Sequence, residues 1–172
     1  MLNPVDDVLL PTHVVISLAG IATGCVMASG LIGGWLLRRW TAASLGTNVA
    51  TDLTGYVLPA TTILPSHIVG AISLIALTVA IVALYRQQLS GRWRSAFVIA
   101  AMLAVYLNLF VGVVQAFRRI PLLTVLAPTE SEPPFAIAQG VLLLVFIITT
   151  WIAVKRFRET HQIRDQRKVV LS

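Results

Sequence analysis

Four stretches of the chain, 12–37, 66–85, 95–117 and 135–154, each run for 20 residues or more without a lysine, arginine, aspartate or glutamate. A helix of about 20 residues covers the roughly 30 Å hydrocarbon core of a bilayer, so each stretch is long enough to cross one. The composition agrees. Of 172 residues, 57% are hydrophobic and 12% charged, against about 25% charged in a soluble domain. The mean hydropathy is +0.86. These values predict an all-α fold, a single transmembrane domain over 1–154 followed by a basic cytoplasmic tail over 155–172. The run at the N-terminus does not read as a signal peptide, because Asp6 and Asp7 precede it in place of lysine or arginine and it is too long.

A fifth segment, 41–58, carries Ser44, Thr47, Asn48, Thr51, Asp52 and Thr54. At 100° per residue these fall within an arc of about 160°, while Leu45, Val49, Leu53, Tyr56 and Val57 occupy the other side. One face suited to lipid and one suited to protein describes a polar-faced spanning helix. A helix lying flat on the membrane would carry Lys or Arg on its polar face, and this one has neither. Charge supports the same choice. With five spans, Arg38, Arg39, Arg86, Arg92, Arg94, Lys155, Arg156, Arg158, Arg164, Arg167 and Lys168 share one side and only Arg118 and Arg119 lie opposite, a split of 11 to 2. Four spans give 9 to 4. Cytoplasmic loops gather Lys and Arg, so five spans with the N-terminus outside and the C-terminus inside are expected. The net charge of +6 is thereby spent on orientation, and no nucleic-acid partner is implied.

The hexapeptide at 10–15, LPTHVV, returns at 64–69 as LPSHIV, and each copy opens a run that ends in an Arg-Trp pair, Arg39-Trp40 and Arg92-Trp93. His13 precedes Trp40 by 27 residues and His67 precedes Trp93 by 26, about 40 Å of helix in both cases. The pattern predicts a parallel internal repeat of two helical hairpins, with a fifth helix added and both histidines at one outer level. Each histidine follows Pro-Thr or Pro-Ser, the signature of a helix start, where the positive dipole end favours the neutral imidazole that binds metals. Paired neutral histidines on facing helices hold haem iron in membrane cytochromes, so His13 and His67 are candidate ligands for haem b or another metal. The plainer reading, which comes first, is that both are interfacial histidines bonded to loop carbonyls, with the repetition inherited from a duplication.

Asp52 lies near mid-membrane, about 18 Å above Trp40, and Asn108 about 22 Å above Trp93. A carboxylate facing lipid at that depth costs about 2.5–3.5 kcal/mol, so Asp52 should face inward, either as a structural polar contact that can hydrogen-bond to Asn108 or as the coupling site of a small transporter. Gln115 and Gln139, nearer the outer side, are candidates to line a polar pocket beneath the histidines. Gly20, Gly24 and Ala28 form a small-residue face for close helix packing, against another span of this chain, a second copy of it or another membrane protein. Trp35, Trp40, Trp93 and Trp151 fall at the cytoplasmic interface, as an aromatic belt does. Cys25 is the only cysteine, which excludes an internal disulfide and c-type haem attachment. No phosphate loop, HExxH or nucleophile with its base is present, so an enzyme is not the expected reading.

The segments LPSHIVGAISL, AVYLNLFVGVVQAF and LAPTESEPPFAIAQG resemble a group of small multi-pass bacterial membrane proteins generally described as uncharacterised. The resemblance covers most of the chain beyond residue 41. It implies a multi-pass protein of the bacterial inner membrane and supplies no activity. A second likeness, to small b-type cytochromes, rests on the two histidines alone. The expected function is a binding or accessory component of a membrane system.

Overall fold

The computed structural model describes the backbone of residues 4–58 and 65–170 and the side chains of 8–58 and 67–157. All elements among the described residues are helical: α1 Pro4–Ile32, α2 Arg38–Val57, α3 Pro65–Ile81, α4 Trp93–Arg119, α5 Pro121–Leu126 and α6 Pro133–Val170. Four segments are long and apolar enough to cross a membrane, namely Val8–Ile32, His67–Arg86, Trp93–Arg119 and Pro133–Phe157. Their outward faces carry Val15, Leu18, Ile68, Ile75, Ile99, Leu144 and Ile148. This is the architecture of a multi-pass membrane protein. The turn at 59–64 lies outside the described residues.

The boundaries follow local chemistry. α1 starts nine residues before His13, at Pro4, a residue type that suits the first helical position. Pro11 therefore sits inside the helix, where its ring forgoes one backbone bond. His13 is accordingly not at a helix start, whereas His67 is the third residue of α3, and the dipole argument applies to His67 alone. α1 stops at Ile32, short of the expected 37. Gly34 takes φ +80°, and Trp35 N–H and Gly34 N–H return to the carbonyls of Gly30 and Leu31 at 2.8 and 3.0 Å. That is a Schellman closure, which needs the left-handed conformation glycine adopts freely. α3 ends in a π-helical turn, Val82–Arg86. The connection between α4 and α6 contains α5, which Pro121 opens. The tail backbone continues α6 to Val170, 38 residues in one helix and about 57 Å long.

Side-chain contacts set the directions. His13 meets Thr54, Gly20 faces Thr47 and Asn48, and Gly30 faces Leu37, so α1 and α2 run antiparallel along nearly all of α2. Tyr56 against His67 and Asp52 against Ser73 set α2 antiparallel to α3. Phe97–Phe157, Tyr106–Phe146 and Phe117–Phe135 ring contacts set α4 antiparallel to α6. α4 is the central helix, packed on α1, α3 and α6 and touching α2. The core of Met27, Leu31, Leu45, Leu77, Phe97, Val98, Met102 and Phe157 gathers toward the Trp-rich end. Leu45, expected to face lipid, is 4% exposed and belongs to that core, because α2 is covered on two sides by α1 and α3.

Candidate functional site

The polar face of α2 turns inward. Thr41, Ser44, Asn48 and Thr51 are buried, at intervals of three and four residues that stack them on one side of the helix. At mid-helix the Asn108 amide donates to Asn48 Oδ1 at 3.0 Å, while Ser17 Oγ donates to Asn108 Oδ1 at 2.8 Å. Asn48 in turn donates to the Ser44 carbonyl at 2.8 Å. Three helices are joined at one level. Gly20 makes this possible: a Cβ there would stand 2.9 Å from Asn108 Nδ2. Asn108 thus bonds to Asn48 and Ser17, and Asp52, its expected partner, is one turn further along α2. The wheel and depth arithmetic resolve a level to about one turn, too coarse to separate residues 48 and 52.

Asp52 faces Ser73 on α3, a serine only 3% exposed. Its Oδ2 is buried without a hydrogen-bond partner among the described residues. Above it, His13 Nδ1 lies 2.8 Å from Thr54 Oγ1. Thr54 already donates its single hydroxyl proton to the Ala50 carbonyl at 2.7 Å, so the imidazole Nδ1–H is the donor and Nε2 is left as the free nitrogen. His67 stacks on Tyr56 with ring centroids 5.5 Å apart, and Tyr56 Oη donates to the His67 carbonyl at 2.6 Å. Both histidines therefore meet the same turn of α2, within about 3 Å of rise. They approach it from different sides. Thr54 and Tyr56 point about 200° apart on the helix, and α1 and α3 each pack on α2. With α2 standing between the two rings, this arrangement does not fit one haem held axially by both. No group of three His, Cys, Asp or Glu that could hold a metal occurs among the described residues.

The glutamines are placed elsewhere. Arg119 Nε donates to Gln115 Oε1 at 3.3 Å on the exposed end of α4. Gln139 Nε2 donates to the Phe110 carbonyl at 3.2 Å, tying α6 to α4, and its Oε1 is buried with no partner among the described residues. Neither joins the histidines. Gly20 and Gly24 face α2 and α4 of this same chain, and Ala28 packs on the core, so the small-residue face is already filled. Ser17 and Ser73 escaped the sequence reading. A signal for Ser17 existed: His13, Ser17, Gly20 and Gly24 recur at intervals of 4, 3 and 4 on one helical face. Ser73 has no such marker.

Comparison with known proteins gives no match to a family model, to a curated protein or to a solved structure.

Proposed function

We propose that the chain is a five-span protein of the bacterial inner membrane, N-terminus outside and basic tail inside, serving as a binding or accessory component of a membrane system. The observation that carries this reading is the use made of α2. It runs for 20 residues, about 30 Å and the thickness of a hydrocarbon core, and it is antiparallel to both α1 and α3. Its polar groups bond to one another and to neighbouring helices, so they hold the bundle together. The parallel hairpin repeat belongs to the same reading: α1 with α2, and α3 with α4, are antiparallel pairs of similar length. With five spans the Arg and Trp residues at 35–40, 86–94 and 151–156 share the cytoplasmic side.

Single cysteines at Asn3 and Ser90 test the topology. Asn3 should label only from outside and Ser90 only from the cytoplasm; the reverse at either position sinks the five-span arrangement. The accessory role is tested by photocrosslinkers at Leu144 and Ile148, on the bare face of α6. A discrete protein adduct is expected, and adducts to lipid alone count against it.

A second reading, a small transporter with Asp52 as its coupling site, is favoured by the unpartnered Asp52 Oδ2. Proton or solute flux in liposomes that disappears in Asp52→Asn would support it. The haem alternative is tested by absorption spectroscopy: protein purified from haem-replete cells should lack a Soret band, and a band lost in both His13→Ala and His67→Ala would restore it.

A further inference from the structure

We propose that Asp52 is a proton-binding site inside the bundle, held as a neutral carboxylic acid that exchanges its proton from the His13 end of α2. The inference deepens the transporter reading by naming the species bound, and it rests on α2 lying within the membrane. Its basis is a mismatch between an acid and its surroundings. A carboxylate in a low-dielectric interior requires a cation or several donors. Asp52 has Ser73 on one side, and its Oδ2 is buried with no partner among the described residues. A neutral carboxyl fits that set, since the hydroxyl half can engage Ser73 and the bare carbonyl oxygen is far cheaper to leave unpaired than an anion.

Among the described residues, no countercharge is within reach on any packed helix. α1 carries no Lys or Arg; Arg39 on α2, and Arg86 as seen from Ser73 on α3, are each 13 residues away, about 20 Å. α4 runs parallel to α2 with Asn108 beside Asn48, which puts Arg118 about 9 Å beyond the level of Asp52. Arg118 is moreover paired with Glu130 and Arg119 is bonded to Gln115. Among the described residues, the titratable groups toward this end of α2 are His13 on α1, His67 on α3 and Tyr56 on α2 itself, which stacks on His67. Between Arg94 and Arg118, α4 offers only Tyr106, which packs on Phe110 and Phe146. His13 bonds to Thr54, two residues along α2 from Asp52, and with its Nδ1–H committed there its Nε2 is the ring nitrogen that can take up a proton from the outer end.

Dicyclohexylcarbodiimide tests the proposal, because it reacts with protonated carboxyls in apolar surroundings. The acid proton moves to a carbodiimide nitrogen while the carboxyl oxygen bonds the central carbon, and the O-acylisourea rearranges to a stable N-acylurea. The folded full-length protein in liposomes should gain one adduct, mapped to Asp52 by peptide mass spectrometry. The rate should fall at least several-fold as pH rises, and the adduct should be absent in Asp52→Asn. Asp52→Asn should also keep or raise thermal stability, and the wild-type-minus-Asn infrared difference should contain a protonated carboxyl band. An unlabelled Asp52 in folded protein, with no such band, overturns the proposal. So does protection of Asp52 by sodium but not potassium at fixed pH, which would mark a sodium site. The two readings fail separately: labelling without flux leaves the proton site and removes the transporter, and flux without labelling does the opposite.

Discussion

Gly24 shows what a single absent methyl group contributes here. A Cβ at this buried position would come within 2.7 and 3.0 Å of the two Val105 methyl carbons on α4. Valine in a helix has one strongly preferred rotamer, so Val105 cannot swing aside. Gly24→Ala is expected to lower stability by about 1–3 kcal/mol through overpacking. In the double variant Gly24→Ala/Val105→Ala the two losses should sum to less than their separate values, since the new methyl occupies the space vacated. Denaturant titration in micelles measures all three, and strict additivity would show that α1 and α4 do not meet there. Gly140, with nothing within 4 Å of a Cβ, is the control; Gly140→Ala should change stability by less than about 1 kcal/mol.

Among the elements, the α4–α6 connection is the most locally organised. Thr124 Oγ1 donates to the Phe117 carbonyl at 2.7 Å, folding α5 back on the end of α4, and Arg118 pairs with Glu130 across the loop. Glu132 then closes the turn into α6, accepting from Thr129 Oγ1 at 2.8 Å, Thr129 N–H at 3.1 Å and Ser131 N–H at 3.1 Å. Desolvation raises the Glu132 carboxyl, but the bonds from the Thr129 hydroxyl and from the N–H groups of Glu132, Thr129 and Ser131 outweigh it and hold it below the ordinary glutamate value. A depressed acid stabilises the turn at pH above its unfolded value and loses that stabilisation as pH falls through the folded one. Amide exchange at Thr129 and Ser131, corrected for intrinsic rates, should therefore quicken in acid. Glu132→Gln should exchange quickly throughout and lose the pH dependence; an unchanged profile would mean the turn holds without this carboxylate.

At the scale of the molecule, one small network ties three helices together. Ser17, Asn48 and Asn108 come from α1, α2 and α4, so Asn108 bridges α1 and α2 and docks both on α4. Interhelical hydrogen bonds in membranes are worth about 0.6–2 kcal/mol each. Asn108→Leu strands two partners and should cost at least as much as one such bond. A double-mutant cycle on Asn48→Ala and Asn108→Ala should return a coupling of about 0.5–2 kcal/mol. Zero coupling would place the joint elsewhere. α6 is held differently, by the aromatic contacts of Phe146 with Tyr106 and Phe157 with Phe97, which leaves Val141, Leu144, Ile148 and Trp151 facing outward.

The amino-acid sequence by itself determined the class of fold. Uninterrupted apolar runs can satisfy their backbone in a bilayer only as helices or closed barrels, and runs of 20 residues or more select helices. The polar face of segment 41–58 was equally legible, because helical periodicity is a local property. Helix ends were less legible: the first apolar run extends to 37, past the closure at Gly34, the helix that Pro121 opens was not foreseen, and α1 begins at Pro4, earlier than the histidine repeat implied. Partners were another matter. That Asn108 reaches Asn48, that Asp52 faces Ser73, and that His13 and His67 stand on different sides of α2 depend on the order in which helices pack and on their axial register. Register is set by close contacts such as Gly20 beneath Asn108 and Gly24 beneath Val105, where differences of about one turn, 5.4 Å, decide which polar groups meet. Only the tertiary structure resolves distances of that size.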